Sequence, residues 1–175
     1  MLLAPESHQR IEAFLRDHLR SESLILPPVY IYSGQWSQRL TKAFHIQAIT
    51  FGRHIFIAAK AIGRDDKGRL VVPAGLIAHE ATHVVQYQQA GFIGFIFSYV
   101  QEYWRALRKQ RQGWCKAARL AAYFAITHEC EAYEAESAYA GWVALEKMKD
   151  RKEIASPSPG ENGAGQKQSI PESVL

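Results

Sequence analysis

One uninterrupted run of the chain, residues 76–87, contains the pattern His-Glu-x-x-His, with its fixed positions at His79, Glu80 and His83. The run has no Gly or Pro and is predicted to be helical. On a helix, His79 and His83 stand one turn apart on the same face, so both imidazoles can reach a single tetrahedral Zn2+. Glu80 lies about 100° round the helix from His79, where it can take a proton from a nearby water but does not bind the metal. The motif therefore predicts a zinc site with Glu80 as general base.

The residues around the motif predict that this helix is buried. Leu76 and Val84 accompany the histidines on one side, and Ala78, Ala81 and Val85 give the other side a small apolar surface. Buried imidazoles and a buried carboxylate need polar partners. A metal ion supplies such a partner, and a purely structural hydrogen-bond network is the alternative.

A third ligand is required, because catalytic zinc usually has three protein ligands and the motif provides two. The one dense source of carboxylates downstream is the stretch 128–136, within an alanine-rich segment whose alanines indicate that one face is buried. Glu129, Glu131 and Glu134 compete for the position on residue chemistry alone.

The remaining sequence predicts an α+β fold, in which a small antiparallel sheet packs on the motif helix and further helices complete the core. The sheet is expected from a strand at 29–32 and a tight hairpin at 48–58 that turns at Gly52. Helices are expected at residues 5–20, 73–90, 92–109 and 115–149. Within 92–109, six apolar or aromatic side chains have helical spacing and are expected in the core: Phe95, Ile96, Tyr99, Val100, Tyr103 and Leu107.

Length and composition predict one domain followed by a tail. With 175 residues, of which 47% are hydrophobic, the chain can bury a single core, and we place this domain at residues 1–152. Residues 153–175 are rich in Ser, Pro, Gly, Glu and Gln, and they are expected to form a flexible C-terminal tail because they cannot bury enough apolar surface.

The positive charge is concentrated in one region. The formal net charge is +4, and Lys and Arg cluster between residues 105 and 119. Their helical spacing favours a solvated helix face over an anionic partner. Since no recognised nucleic-acid motif accompanies the cluster, no nucleic-acid partner is expected.

No signal peptide and no transmembrane segment are expected. The apolar residues at the N-terminus are too few for a signal peptide, and the apolar run 92–100 is too short to cross a bilayer. Cys115 and Cys130 have no metal-binding or disulfide-framework spacing, and we expect buried thiols in a reducing compartment. The expected location is the cytoplasm, with export by a specialised secretion route left open.

The motif and the acidic stretch resemble the gluzincins, a superfamily of His-Glu-x-x-His zinc peptidases in which a glutamate on a later helix is the third ligand. Residues 129–133, Glu-Cys-Glu-Ala-Tyr, are similar to a Pro-x-Glu-x-Glu-Ala-like stretch of related small families. This alignment implies that Glu129 is the third zinc ligand, with Glu131 as the fallback. It also implies that Tyr133 stands where an Asp commonly contacts a ligand imidazole, and its hydroxyl can accept a hydrogen bond there.

A closer resemblance covers residues 48–139. The sequence Thr-x-Gly-x-x-Ile at 50–55, then Gly-Arg-Leu at 68–70, then the motif followed by Val-x-Gln at 84–86, resembles bacterial metallopeptidase-like domains linked to extracellular contractile injection systems. Ala81 stands where Leu is common in that family, a change that affects packing and leaves the ligands in place. The resemblance implies a hairpin at Gly52 beside the motif helix.

Two functions follow as expectations. The first is a zinc-dependent peptidase that hydrolyses a peptide or protein substrate, with Glu80 as general base. The alternative is a non-catalytic zinc-binding structural or interaction module of a larger assembly. Glu80 favours the first, because a structural zinc site is usually closed by four ligands and does not need a carboxylate beside it. The oligomeric state is left open.

Overall fold

The computed structural model describes residues 1–44, 46–66, 70–109 and 115–155. The fold is α+β, as predicted from the sequence. The helices are α1 (Pro5–His18), α2 (Gln35–Phe44), α3 (Ala74–Ala90), α4 (Phe92–Lys109), α5 (Lys116–Phe124) and α6 (Thr127–Ala155), and a 3-10 turn spans Ala59–Ala61. The strands are β1 (Tyr30–Tyr32), β2 (Ala48–Phe51), β3 (His54–Ile57), β4 (Gly63–Arg64) and β5 (Leu70–Val71).

The chain divides into two compact units, Met1–Trp142 and Val143–Leu175. In the second unit, the described part is the helical segment 143–155. The first three residues of the predicted tail, 153–155, are therefore helical, whereas residues 156–175 lie outside the described residues. The domain boundary at residue 152 stays a prediction.

The predicted hairpin is present. β2 and β3 pair antiparallel with Thr50 opposite Ile55, and Gly52 at the turn has φ +59°. A positive φ is accessible to Gly because it has no Cβ, which explains its place in a tight turn. The side chains alternate, so that Thr50 and Ile55 point into the protein. The hairpin thus has one face on the core and delivers Thr50 to it.

The sheet is mixed, and the expectation that it is wholly antiparallel was wrong for β1. The strand order is β1-β3-β2, and β1 runs parallel to β3, with Tyr30 opposite His54. The connection from β1 to β2 contains α2, a helix that the sequence pattern did not reveal. This crossover carries the chain past the position of β3, so that β2 becomes an edge strand of the sheet.

The motif helix α3 has the predicted limits. Pro73 is its N-cap, and Gly91 follows its last residue with φ +70°. Every residue from Leu76 to Tyr87 is buried, because α1, α4 and β2 all pack against this helix. Burial on all sides agrees with the apolar character of both faces in the sequence.

The expectation that α4 contributes to the core was wrong for Ile96 and Val100, which are exposed, whereas Tyr99 and Tyr103 are partly buried. Phe95 and Leu107 are buried, and the second packs with Ala118 and Ala122 of α5. The exposed large apolar side chains of α4 are Phe92, Ile93, Ile96, Phe97, Val100 and Trp104. Helical spacing identified an amphipathic helix, but it could not show which apolar face is covered when two faces are apolar.

The cysteines are also placed differently from the prediction of buried thiols. Cys115 and Cys130 are both free and exposed. Cys115 caps the first turn of α5, where its sulfur accepts a hydrogen bond from the Ala118 amide, and Cys130 donates to the Phe124 carbonyl. Both thiols therefore sit at helix ends. In the part of the chain that the structure describes, no helix is long and apolar enough to cross a membrane.

Candidate metal centre

His79 and His83 lie one turn apart in the middle of α3, with ring centroids 5.0 Å from each other. They are 5% and 7% exposed. The four-residue spacing puts both rings on the same face of α3. The Nε2 atoms of both rings face Glu129 of α6.

Glu129, in the first turn of α6, faces both imidazoles and is itself 4% exposed. Its Oε2 lies 3.7 Å from His79 Nε2, and its Oε1 lies 3.6 Å from His83 Nε2. Ligands bound about 2.0–2.2 Å from a tetrahedral ion lie roughly 3.3–3.6 Å from each other, which is close to these separations. His79, His83 and Glu129 together can hold a metal ion, since one ligand atom of each lies within 4.8 Å of the others.

Two tyrosine hydroxyls orient the Glu129 carboxylate. Tyr99 of α4 donates to Oε1 at 2.8 Å, and Tyr123 of α5 donates to Oε2. Burial, and after it the Glu129 charge, raises the pKa of each tyrosine, so both stay protonated donors at neutral pH. The sequence analysis missed both residues, because nothing in their spacing connects α4 and α5 with the acidic stretch.

Gln86, one turn after His83 on α3, orients that histidine. Its Oε1 lies 2.8 Å from His83 Nδ1, and its Nε2 donates to Glu131 Oε2 at 2.8 Å and to the His128 carbonyl at 3.1 Å. A hydrogen bond from Nδ1–H to the Gln86 oxygen leaves Nε2 with its lone pair directed toward the metal-binding group. Glu131, the fallback third ligand, thus contacts Gln86 and lies outside the group.

The second nitrogen of His79 faces a different carboxylate. Glu136 Oε2 lies 3.2 Å from His79 Nδ1, but Nδ1 makes no hydrogen bond to the described residues. Tyr133 is at the predicted place beside His79, where the two rings meet edge to face with centroids 4.6 Å apart. That contact is made by the aromatic ring, and the polar group nearest to Nδ1 belongs to Glu136.

Glu80 is buried next to the group at 4% exposure, and its Oε2 accepts a 2.7 Å hydrogen bond from the Thr50 hydroxyl. Burial raises the pKa of Glu80 to about 7, although His79 and the Thr50 hydrogen bond pull it down. A carboxylate with a pKa near neutrality is suited to accept and return a proton.

Two of the three ligand groups, His83 and Glu129, are tuned toward their metal-binding forms. Burial lowers the pKa of His83 to about 4, so its imidazole is neutral at physiological pH. Burial also raises the pKa of Glu129, but the facing imidazoles of His79 and His83 and the hydrogen bonds from Tyr123 and Tyr99 outweigh it, and the net pKa is lowered. For His79, burial lowers the pKa, whereas the surrounding carboxylates of Glu129, Glu80 and Glu136 raise it by more. Neutral His83 and ionised Glu129 are the forms that bind a metal.

Comparison with protein families connects the first half of the chain to a known domain. Residues 9–91 match the family model of the eCIS core domain, the core domain of extracellular contractile injection systems. The matched segment contains the hairpin and His79, Glu80 and His83, and it ends before Glu129. Residues 9–91 are therefore similar to the eCIS core domain. Neither the curated proteins nor the solved structures contain a significant match.

Proposed function

We propose that this protein is a zinc-dependent peptidase in which His79, His83 and Glu129 bind the zinc and Glu80 is the general base. The observation that carries this proposal is Glu80, a buried carboxylate held by Thr50 next to a three-ligand group. The group found among the described residues has two imidazoles and one carboxylate, a combination typical of catalytic zinc sites. A site that only stabilises the fold has no use for such a base.

When bound, zinc polarises the scissile carbonyl and makes water a better nucleophile. Glu80 accepts a proton from the attacking water, whose oxygen forms a bond to the carbonyl carbon. Glu80 then returns the proton to the amide nitrogen as the carbon–nitrogen bond breaks. The hydrogen bond from Thr50 holds Oε2 of Glu80 in place during these proton transfers. Tyr133, whose ring meets that of His79 edge to face, is 37% exposed.

The edge strand β2 favours an extended peptide as substrate. β2 lies at one edge of the three-stranded sheet, where β3 is the strand paired with it. An edge strand has unpaired backbone groups that can hydrogen-bond an extended peptide. Because Thr50 lies on β2, such a peptide would run close to Glu80. We therefore propose that unfolded segments are cleaved in preference to folded domains.

The alternative function, a non-catalytic metal-binding module of a larger assembly, is favoured by the depth of the site. His79, Glu80, His83 and Glu129 are all between 4% and 7% exposed, which leaves little of them open to a substrate. In this case, the ion joins α3 to α6, and the eCIS-type segment at 9–91 contacts other components of an injection system.

Metal analysis and the Glu80→Gln variant distinguish the two functions. We expect zinc to copurify with the parent and with Glu80→Gln at equal occupancy, because Gln keeps the shape and leaves the three ligands unchanged. Hydrolysis of a denatured protein or a peptide library should fall about 100- to 10,000-fold in Glu80→Gln. Glu6→Gln removes the same charge from an exposed position of α1 and is the matched control.

Two outcomes would overturn the peptidase proposal. If Glu80→Gln hydrolyses peptides as fast as the parent, then Glu80 is not the base. If the parent contains zinc but hydrolyses no member of the library, the metal-binding module is the better description. Folded and unfolded forms of one substrate, compared side by side, test the preference for extended segments.

A further inference from the structure

A row of exposed apolar side chains runs along the outer face of α4. We call it the outer stripe, and it consists of Ile93, Ile96, Phe97, Val100 and Trp104. Ile93, Phe97, Val100 and Trp104 follow one another at intervals of three or four positions, and Ile96 is one turn from both Ile93 and Val100, so that all five lie on one side of the helix. Ile93 is 82% exposed and Phe97 is 67% exposed.

The opposite side of α4 fixes the helix to the protein. Phe95 is buried against Tyr87 with ring centroids 4.0 Å apart, and Tyr99 reaches the Glu129 carboxylate. Glu102 is the one acidic residue of α4, and its carboxylate accepts a hydrogen bond from the Thr127 amide. The outer stripe is therefore turned away from the metal-binding group.

Positive charges lie at the C-terminal end of the outer stripe. Arg105, Arg108 and Lys109 form this basic cluster, and all three are exposed. Together with Trp104 and Gln101, they line a surface hollow. Next to them in the fold, α5 packs on α4 and adds exposed Lys116 and Arg119. An apolar row thus leads directly into a cationic hollow.

We propose that the outer stripe and the basic cluster bind the surface of an anionic lipid bilayer, with α4 lying in the plane of the interface. Helices that bind in this way have aromatic and aliphatic residues on one face and Lys or Arg beside them. The stripe from Ile93 to Trp104 is about 16 Å long by the rise of an α-helix, and it can lie flat on a membrane. Trp104 is suited to the headgroup level, because its ring is apolar and its N–H is polar.

The positive charges beside the outer stripe favour an anionic membrane surface over a second copy of the chain as its binding partner. In a parallel pair of copies, Arg108 and its neighbours would face the same cations of the partner, and like charges repel. In an antiparallel pair, the basic cluster would lie over Ile93 and lose its water without gaining a counter-charge. Anionic headgroups provide counter-charges for Arg105, Arg108 and Lys109, while the acyl region accepts the apolar side chains. The surface begins after residue 91, where the match to the eCIS core domain ends, and it is independent of the proposed hydrolysis.

Vesicle co-sedimentation of the full chain tests the proposal. We expect binding to phosphatidylcholine vesicles that contain about one-quarter phosphatidylglycerol, and much weaker binding to pure phosphatidylcholine. Added salt should weaken the binding to anionic vesicles, because it screens the basic cluster. Circular dichroism confirms that each variant is folded.

Two pairs of variants separate the apolar and the charged parts. Phe97→Ser should lower the partition coefficient about tenfold, whereas Ile25→Ser, at the same 67% exposure, should not change it. Arg108→Glu should lower it about 10- to 30-fold, and Lys60→Glu, which changes the net charge equally at another exposed position, should have a smaller effect.

The proposal is overturned if the parent does not bind anionic vesicles, if it binds neutral vesicles equally well, or if each control lowers binding as much as its partner. Size-exclusion chromatography over a range of concentrations tests the other possible binding partner, a second copy of the chain. A dimer that Phe97→Ser abolishes, in a protein that does not bind vesicles, would assign the outer stripe to a second copy of the chain and also overturn the proposal.

Discussion

The Thr50 hydroxyl donates a 2.7 Å hydrogen bond to Glu80 Oε2, and both residues are buried. The same hydroxyl lies 3.4 Å from the Glu80 carbonyl. The bond connects the edge strand of the sheet to the motif helix, so the hairpin that turns at Gly52 contributes directly to the position of the proposed base. Thr50 of β2 is therefore part of the proposed active site, although the His-Glu-x-x-His motif lies entirely on α3.

Thr50→Val should slow hydrolysis without removing the metal. Valine keeps the shape of threonine but loses the hydrogen bond that lowers the pKa of Glu80. We expect kcat/KM at pH 7 to fall about tenfold and the acidic limb of the pH–rate profile to move to higher pH. Zinc occupancy should not change, and Thr50→Ser should restore the rate. A fall in rate with an unmoved acidic limb would argue that Thr50 acts through packing alone.

The pH dependence of stability in the metal-free protein should report on Glu80. Because burial raises its pKa from 4.5 to about 7, the folded state holds a proton between these pH values that the unfolded state has released. The contribution of Glu80 to stability therefore decreases as pH rises through this window. Glu80→Gln should be more stable than the parent at pH 8 by about 1 to 3 kcal/mol, with a smaller difference at pH 5. Urea unfolding at the two pH values measures this, and a difference that is equal at both would contradict the raised pKa.

Glu129→Gln and Glu131→Gln should differ in metal affinity although they remove the same charge. Glu129 faces both imidazoles, whereas Glu131 accepts a hydrogen bond from Gln86, which an amide oxygen can also accept. Zinc affinity should fall more than about 100-fold in Glu129→Gln and less than about tenfold in Glu131→Gln. Competition with a chromogenic chelator measures both. If both variants keep the parent affinity, the third ligand must be sought at Glu134, Glu136 or His128.

The elements that the sequence predicted well are those specified by local patterns. Gly52 between two β-rich arms marks the hairpin, and Pro73 and Gly91 bracket the motif helix. Glu129 was inferred from a resemblance, and the structure brings it opposite His79 and His83.

The elements that it did not predict depend on long-range packing. The parallel pairing of β1 follows from the crossover through α2, a helix that the sequence analysis did not assign although its apolar residues lie on one face. Similarly, the exposure of Phe97 depends on which face of α4 meets α3, and helical spacing does not contain this information. Tyr99 and Tyr123 reach Glu129 from two further helices, so only the assembled fold shows their roles.

Removal of those two hydroxyls should weaken metal binding while the fold is retained. Tyr99 and Tyr123 each donate to one oxygen of Glu129, and together they fix the plane of the carboxylate that faces both imidazoles. Phenylalanine keeps the ring in place, but the carboxylate is then free to rotate and loses two of its hydrogen bonds. Contacts of this kind typically contribute 10- to 100-fold to metal affinity.

We expect each single Tyr→Phe variant to lower zinc affinity by about tenfold, and the double variant by about 100-fold. The visible absorption spectrum of the Co2+-substituted protein should also change, because the geometry of its ligands changes. Tyr103→Phe is the matched control, since Tyr103 lies on the same helix as Tyr99 and packs near Leu107. It should leave affinity and spectrum unaltered. If both single variants match Tyr103→Phe, the tyrosines stabilise the packing of α4 and α5 and do not orient the ligand.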